Sequence, residues 1–159
     1  MMIRLANKDD LKSIEQIYEN ARQFMRSTSN FTQWGNGYPN VEIILADIEQ
    51  KCLYVVEDEA IQAVFTLILG EDPTYLEIDG AWLNDEPYAT LHHIASKGTQ
   101  KGLFKLIIDF SWTNCPNIRI DTHKDNTPMR HLIEKNGFEY CGIIIVGDGT
   151  PRLAYQKVE

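Results

Sequence analysis

The stretch Leu91 to Phe110, LHHIASKGTQKGLFKLIIDF, decides how the rest of the chain is read. It opens as the end of a strand, passes through a polar loop holding Gly98 and Gly102, and continues into Leu103 to Trp112. That last segment is apolar almost all round and free of proline, which predicts a buried helix. The next strand, Ile118 to Thr122, would close a right-handed strand–helix–strand crossover starting at Tyr88. Glycines let a backbone approach a ligand closely. The first N–H groups of a helix lack an intrahelical acceptor and point towards an anion. Lys97, Lys101 and Lys105 add local positive charge. Together these features suit a phosphate or pyrophosphate, although a plain connection with solvated lysines has the same spelling.

On the N-terminal side, Ile3 to Leu5 predicts a short edge strand. Asn7 suits a helix cap, and Leu11, Ile14, Ile17, Ala21 and Phe24 recur at helical spacing up to Arg26. Residues 27–39 form a loop rich in glycine and aromatics, and Asn40 caps a second helix whose apolar face is Val41, Ile44, Leu45 and Ile48. Cys52 to Val56 and Ala60 to Leu69 read as a hairpin turning at Glu57-Asp58-Glu59. Between 70 and 87 only Tyr75 to Ile78 suggests a strand. Beyond the crossover, Thr127-Pro128 starts a helix with a hydroxyl cap and a proline, Gly137 stops it, and Phe138 to Val146 and Leu153 to Val158 are strands. Helices set into a mixed central sheet, within one domain over 1–159, make the expected fold α/β (α+β).

Composition narrows the function. The 159 residues carry a formal charge of −8, with 43% hydrophobic and 24% charged residues, so a folded core is expected. Such a chain repels polyanions at long range, which argues against nucleic acid and anionic membranes as partners. No apolar run reaches the ~18 residues that span a bilayer, and the start MMIRLANKDD has no signal-peptide core. Cys52, Cys115 and Cys141 are odd in number and far apart, the pattern of reduced thiols in a cytoplasmic protein.

Lys97 to Phe110, the strand Ile118 to Thr122, Asn126, Pro128-Met129 and Glu134-Lys135-Asn136-Gly137-Phe138 resemble the GNAT family of N-acetyltransferases. The family's central motif, Arg/Gln-x-x-Gly-x-Gly/Ala, lies between a strand and a helix, and an Asn precedes a Gly-Phe pair across the next helix. The resemblance spans essentially the whole chain and is most specific from Leu91 to Gly142. It departs at Thr99, where Arg or Gln is usual, and at Phe104, where Gly or Ala is usual and where the ring should crowd the helix start. Ile133 stands where many members carry a tyrosine that protonates the leaving thiolate.

The resemblance implies acetyl-CoA as cosubstrate and an amine acceptor, either a small molecule or a peptide terminus. Ile94, Ala95 and Ser96 would line the pantetheine arm. Backbone groups of Gln100, Lys101, Gly102, Leu103 and Phe104 would hold the pyrophosphate, and Asn126 would meet the arm from the other side. Trp34 and Tyr38 would wall the acceptor pocket. Attack requires a neutral amine, so a base is needed. The candidates weighed are Glu77 and Asp79, which share a face if Tyr75 to Asp79 is extended, then His93 and His123. A solvated acidic edge and a packed strand histidine are the plain alternatives. Asp121 and His123 are too few for a metal site, and no metal is expected. A thiol mechanism at Cys141 lacks a neighbouring base, and a lone strand cysteine is usually core. The other class of function is an acyl-CoA-binding sensor or interaction module without turnover. The last strands are where two copies would pair in a homodimer.

Overall fold

The computed structural model describes residues 1–159, the side chain of Asn36 excepted. Its elements are β1 (Met2–Leu5), α1 (Leu11–Ser27), α2 (Val41–Glu49), β2 (Leu53–Asp58), β3 (Ala60–Leu69), β4 (Asp79–Gly80), β5 (Ala89–Ser96), α3 (Leu103–Asn114), β6 (Asn117–Thr122), α4 (Thr127–Lys135), β7 (Glu139–Ile145) and β8 (Pro151–Val158). The strands form one mixed sheet in the order β1-β2-β3-β5-β6-β8-β7-β4. The expected α/β class, a mixed central sheet with flanking helices, is therefore the observed one. The chain packs as two compact units, Met1–Leu67 with His92–Ile107, and Ile68–Leu91 with Ile108–Glu159.

The first unit is built on the antiparallel run β1-β2-β3, registered Ile3 to Val56 and Val55 to Val64. A capping box opens the 3₁₀ turn Lys8–Asp10 that leads into α1. Asn7 Oδ1 accepts from the Asp9 N–H at 2.9 Å, and Asp10 Oδ2 accepts from the Asn7 N–H at 2.8 Å. Of the stripe read from the sequence, Ile14 and Ile17 are buried at 1% exposure or less and Leu11 and Ala21 pack against the core, but Phe24 points outward at 56% exposure. Tyr18, outside that stripe, is buried at 1%. Asn40 caps α2 as expected, accepting from the Ile43 N–H at 3.0 Å. These helices and strands share a core of Ile14, Ile17, Tyr18, Trp34, Ile44, Val55 and Val64. Strand β2 runs on to Asp58, so the hairpin turns more tightly than predicted, on Glu59 alone at φ 64°.

In the second unit the registered parallel pairs of β5 with β6 are Ala89 with Ile118 and Thr90 with Arg119. Strand β8 lies between β6 and β7, so both its edges are used within the chain. This leaves β7 and β4 as the outer strands on that side. Two local expectations fail here. Tyr75 to Ile78 is not a strand: Asp72 caps a 3₁₀ turn over Pro73–Tyr75, accepting from the Thr74 N–H at 2.9 Å, and the extended residues are Asp79–Gly80. Proline at the first position favours that turn over a ladder it cannot join. The cap of α4 is Asn126, not Thr127; its Oδ1 accepts from the Met129 N–H at 3.2 Å. Strands β4 and β7 cross where a Cβ on Gly80 would strike the Cys141 carbonyl and one on Gly142 would strike the Asp79 carbonyl. Both glycines have positive φ, 138° and 148°, so two separate constraints select the residue.

Candidate active site

In the first unit, β5 continues from His92 to Ser96 and enters the glycine loop. Within this strand His93 has a φ of 51°, left-handed although the residue is not glycine. Such backbone strain persists only where surroundings impose it. Here they are identifiable. Tyr18 donates its hydroxyl to the His93 carbonyl at 3.1 Å. The Trp34 ring meets the imidazole edge-on at 6.3 Å and the Tyr18 ring at 5.5 Å. Tyr38 approaches from the loop before α2, its hydroxyl 2.7 Å from His93 Nε2. On the other side of the ring, Nδ1 lies 3.6 Å from Asp47 Oδ2 and, among the described residues, has no hydrogen-bond partner although it is buried.

The sequence-predicted residues Trp34, Tyr38 and His93 are thus one cluster. Asp47 and Tyr18 complete it, and neither was singled out by sequence reasoning. The signal for Asp47 was an acid beside the inward stripe of α2: it follows buried Ile44 by one helical step and precedes half-buried Ile48. Its charge is felt nearby. Burial and then Asp47 push the Tyr18 hydroxyl far above the usual tyrosine range. The same two causes push the Cys52 thiol up to about 11. Tyr18 therefore stays a protonated donor, whereas Tyr38 is 41% exposed.

The loop 97–102 follows directly. Lys97 donates its N–H to the Gln62 carbonyl at 2.9 Å, and Gln100 Nε2 reaches Asp58 Oδ2 at 3.2 Å, tying the loop to the β2–β3 hairpin. Gly98 and Gly102 have φ of 81° and 80°, and nothing stands within 4 Å of where a Cβ would sit on either. The space beside this backbone is open to a ligand. Lys97, Lys101 and Lys105 are exposed, while Leu103 and Phe104 are buried at 6% and 7%. Phe104, expected to crowd the start of α3, is itself buried in the protein. These residues fit a pyrophosphate: open glycine backbone, a helix N-terminus and three lysines.

Other predicted residues lie in the second unit. Glu77 and Asp79 are exposed and are not neighbours on one strand, since Glu77 falls in a bend before β4. Asn126 is buried at 7% and caps α4. Ile133 is fully buried on α4, so an apolar core residue holds the position that the resemblance associates with tyrosine. Asp121 Oδ2 accepts from the Tyr75 hydroxyl at 2.6 Å. Among the described residues, no group of three His, Cys, Asp or Glu is placed to hold a metal ion.

A GNAT-family acetyltransferase from Streptococcus agalactiae is 34% identical to this chain, covers 99% of it and 95% of its own length, and superposes with a TM-score of 0.90. The chain belongs to the GNAT family of acetyltransferases. A second GNAT-family structure, from Listeria monocytogenes, is 22% identical over 98% of this chain and 93% of its own, with a TM-score of 0.71. AAC(6')-Ib in complex with ribostamycin and coenzyme A shares the fold at 16% identity, covering 99% of this chain and 93% of its own, with a TM-score of 0.68. No family model and no curated protein matches the chain.

Proposed function

We propose that this GNAT protein is an acetyl-CoA-dependent N-acetyltransferase whose acceptor is the amine of a small molecule or a peptide terminus. The observation that carries the reading is the open glycine backbone of 98–102 at the head of α3, set among exposed lysines. In this reading Gln100, Lys101, Gly102, Leu103 and Phe104 offer backbone N–H groups to the pyrophosphate. Ile94, Ala95 and Ser96 line the pantetheine arm. Trp34 and Tyr38 face the acceptor. His93 serves the proton transfer, and Glu77 and Asp79 draw a cationic amine by their charge. The amine nitrogen attacks the thioester carbon from roughly 3–3.5 Å, and the C–S bond breaks as the C–N bond is kept. A thiol with pKa near ~8.5 leaves tolerably as its anion, so Ile133 does not forbid the reaction. AAC(6')-Ib, as a relative of the same fold solved with coenzyme A, supports the choice of cosubstrate.

Buried Ile133 favours the other class, a GNAT-fold acyl-CoA sensor without turnover. Two measurements separate the readings. Calorimetry should show acetyl-CoA binding that weakens with salt. Lys101→Glu with Lys105→Glu should weaken CoA far more than truncated pantetheine. Thiol release from acetyl-CoA is then followed against ethanolamine, spermidine, ribostamycin and an alanine-terminated peptide. Release with any of them supports the transferase; binding without release supports the sensor.

A further inference from the structure

We propose that Tyr38 is the residue that takes the proton of the attacking amine, with His93 and Asp47 aligned behind it as a relay. This rests on the transferase reading above. The three groups form one line: the Tyr38 hydroxyl is 2.7 Å from His93 Nε2, and His93 Nδ1 is 3.6 Å from Asp47 Oδ2. In the relay the Nδ1 nitrogen, which faces the carboxylate, carries the ring proton. Nε2 is then the acceptor, and the Tyr38 O–H is the donor aimed at it.

The surroundings point the same way. The buried Nδ1 has Asp47 within ion-pair distance and, among the described residues, no hydrogen-bond partner. Asp47 Oδ2 is itself steadied by the Thr66 hydroxyl at 3.2 Å. Trp34, 8% exposed, fixes the imidazole from the side. Arg22 Nη1 donates to the Tyr38 carbonyl at 3.2 Å, which anchors the loop, and Arg22 is neutralised by Glu19 at 2.7 Å. Tyr18 bonds the His93 carbonyl rather than its ring, and the His92 ring lies 5.8 Å away. The left-handed backbone at His93 is what swings this imidazole out of the alternation of β5.

The protons balance. As the amine lone pair forms the C–N bond, the nitrogen's proton passes to the Tyr38 oxygen while the Tyr38 proton passes to His93 Nε2. The imidazolium so formed faces the Asp47 carboxylate. When the C–S bond breaks, its electron pair leaves on sulfur, and the proton returns from His93 through the Tyr38 hydroxyl to the thiolate. Tyr38 is the catalytic residue of this path; His93 and Asp47 act through it as positioning and proton-holding residues. One hydroxyl serves as base and acid, supplying the donor that Ile133 cannot.

The test is a kcat/KM pH profile with an accepted amine from the panel above, on the wild type, Tyr38→Phe, His93→Gln and Asp47→Asn. Melting curves and acetyl-CoA calorimetry accompany each variant. Tyr38→Phe should lose about 100-fold in kcat/KM near neutrality. The loss should shrink at high pH, where hydroxide can take the proton that the nitrogen sheds as the C–N bond forms, and acetyl-CoA affinity should be unchanged. His93→Gln should lose the ascending limb at low pH, and Asp47→Asn should shift it, which a merely structural role would not do. Wild-type kcat/KM in Tyr38→Phe, or a loss uniform across pH, overturns the proposal. Acetyl-CoA binding with no amine acetylated brings down the transferase reading itself, and the relay with it.

Discussion

A capping asparagine, a paired aspartate and three thiols each make claims that one substitution or one reagent can check. Asn126 closes the first turn of α4, and Asn126→Ala should cost about 1 kcal/mol. That corresponds to roughly 2–4 °C of melting temperature without any ligand, whereas Asn126→Asp should keep the cap. The Arg4 guanidinium, hydrogen-bonded at 2.9 and 3.0 Å, holds the Asp10 carboxyl below the usual carboxylate range. A lowered folded-state value means that this stability is fully present above the unfolded value near ~3.9. It is lost as pH falls through the folded value. Urea midpoints measured from pH 6 to pH 2 should therefore drop less steeply below about pH 4 in Asp10→Asn than in the wild type. Burial raises the Cys52 and Cys141 thiols, and only the thiolate is alkylated. Iodoacetamide at pH 8 should label the folded protein at Cys115, the one of the three that is not buried, and label the other two only after unfolding; mass spectrometry of the digest decides it.

At the scale of elements, the glycine crossing of β4 and β7 makes the sharpest claim. Gly142→Ala puts a methyl group against the Asp79 carbonyl in a backbone conformation that L-residues avoid. It should cost about 1–3 kcal/mol and release β4. Once β4 is released, Gly80→Ala should add little, so denaturation of both single variants and the double should show strong non-additivity. What the sequence disclosed at this scale follows from the physics of each element. Helices α1 and α2 were legible because their apolar residues recur every three or four positions and asparagines mark their starts. Strand β3 was legible from its β-branched run. Strand β4 was not, because two residues carry no periodicity and pair with β7, which lies far along the chain. The cap of α4 was misread because Thr127 and Asn126 are both capping residues, and only backbone geometry chooses between them. The site divided in the same way. The glycine loop could be read because its chemistry is contiguous. The Tyr38–His93–Asp47 line could not, since it joins a loop, a strand and a helix face, and its pivot is a histidine in a conformation no local sequence rule assigns to it.

Across the whole molecule, the route of the chain matters more than any contact. It builds part of the first unit up to Leu67, builds part of the second from Ile68 to Leu91, returns to the first from His92 to Ile107, and finishes in the second. Strands β3 and β5 and helix α3 each run from one unit into the other. Elements shared in this way should melt together, and scanning calorimetry should give one transition with calorimetric and van't Hoff enthalpies in agreement. Two separate transitions would show that the units unfold independently. The same route limits how such a protein can be taken apart. No single cut of the gene yields the first unit: a fragment ending at residue 91 has the Tyr38 hydroxyl and the Asp47 carboxylate but no imidazole, and one beginning at 92 has the imidazole and the lysine loop alone. The proton path can be recovered from pieces only by mixing both fragments, so activity restored on mixing, and absent from either piece, is the signature this interleaving leaves.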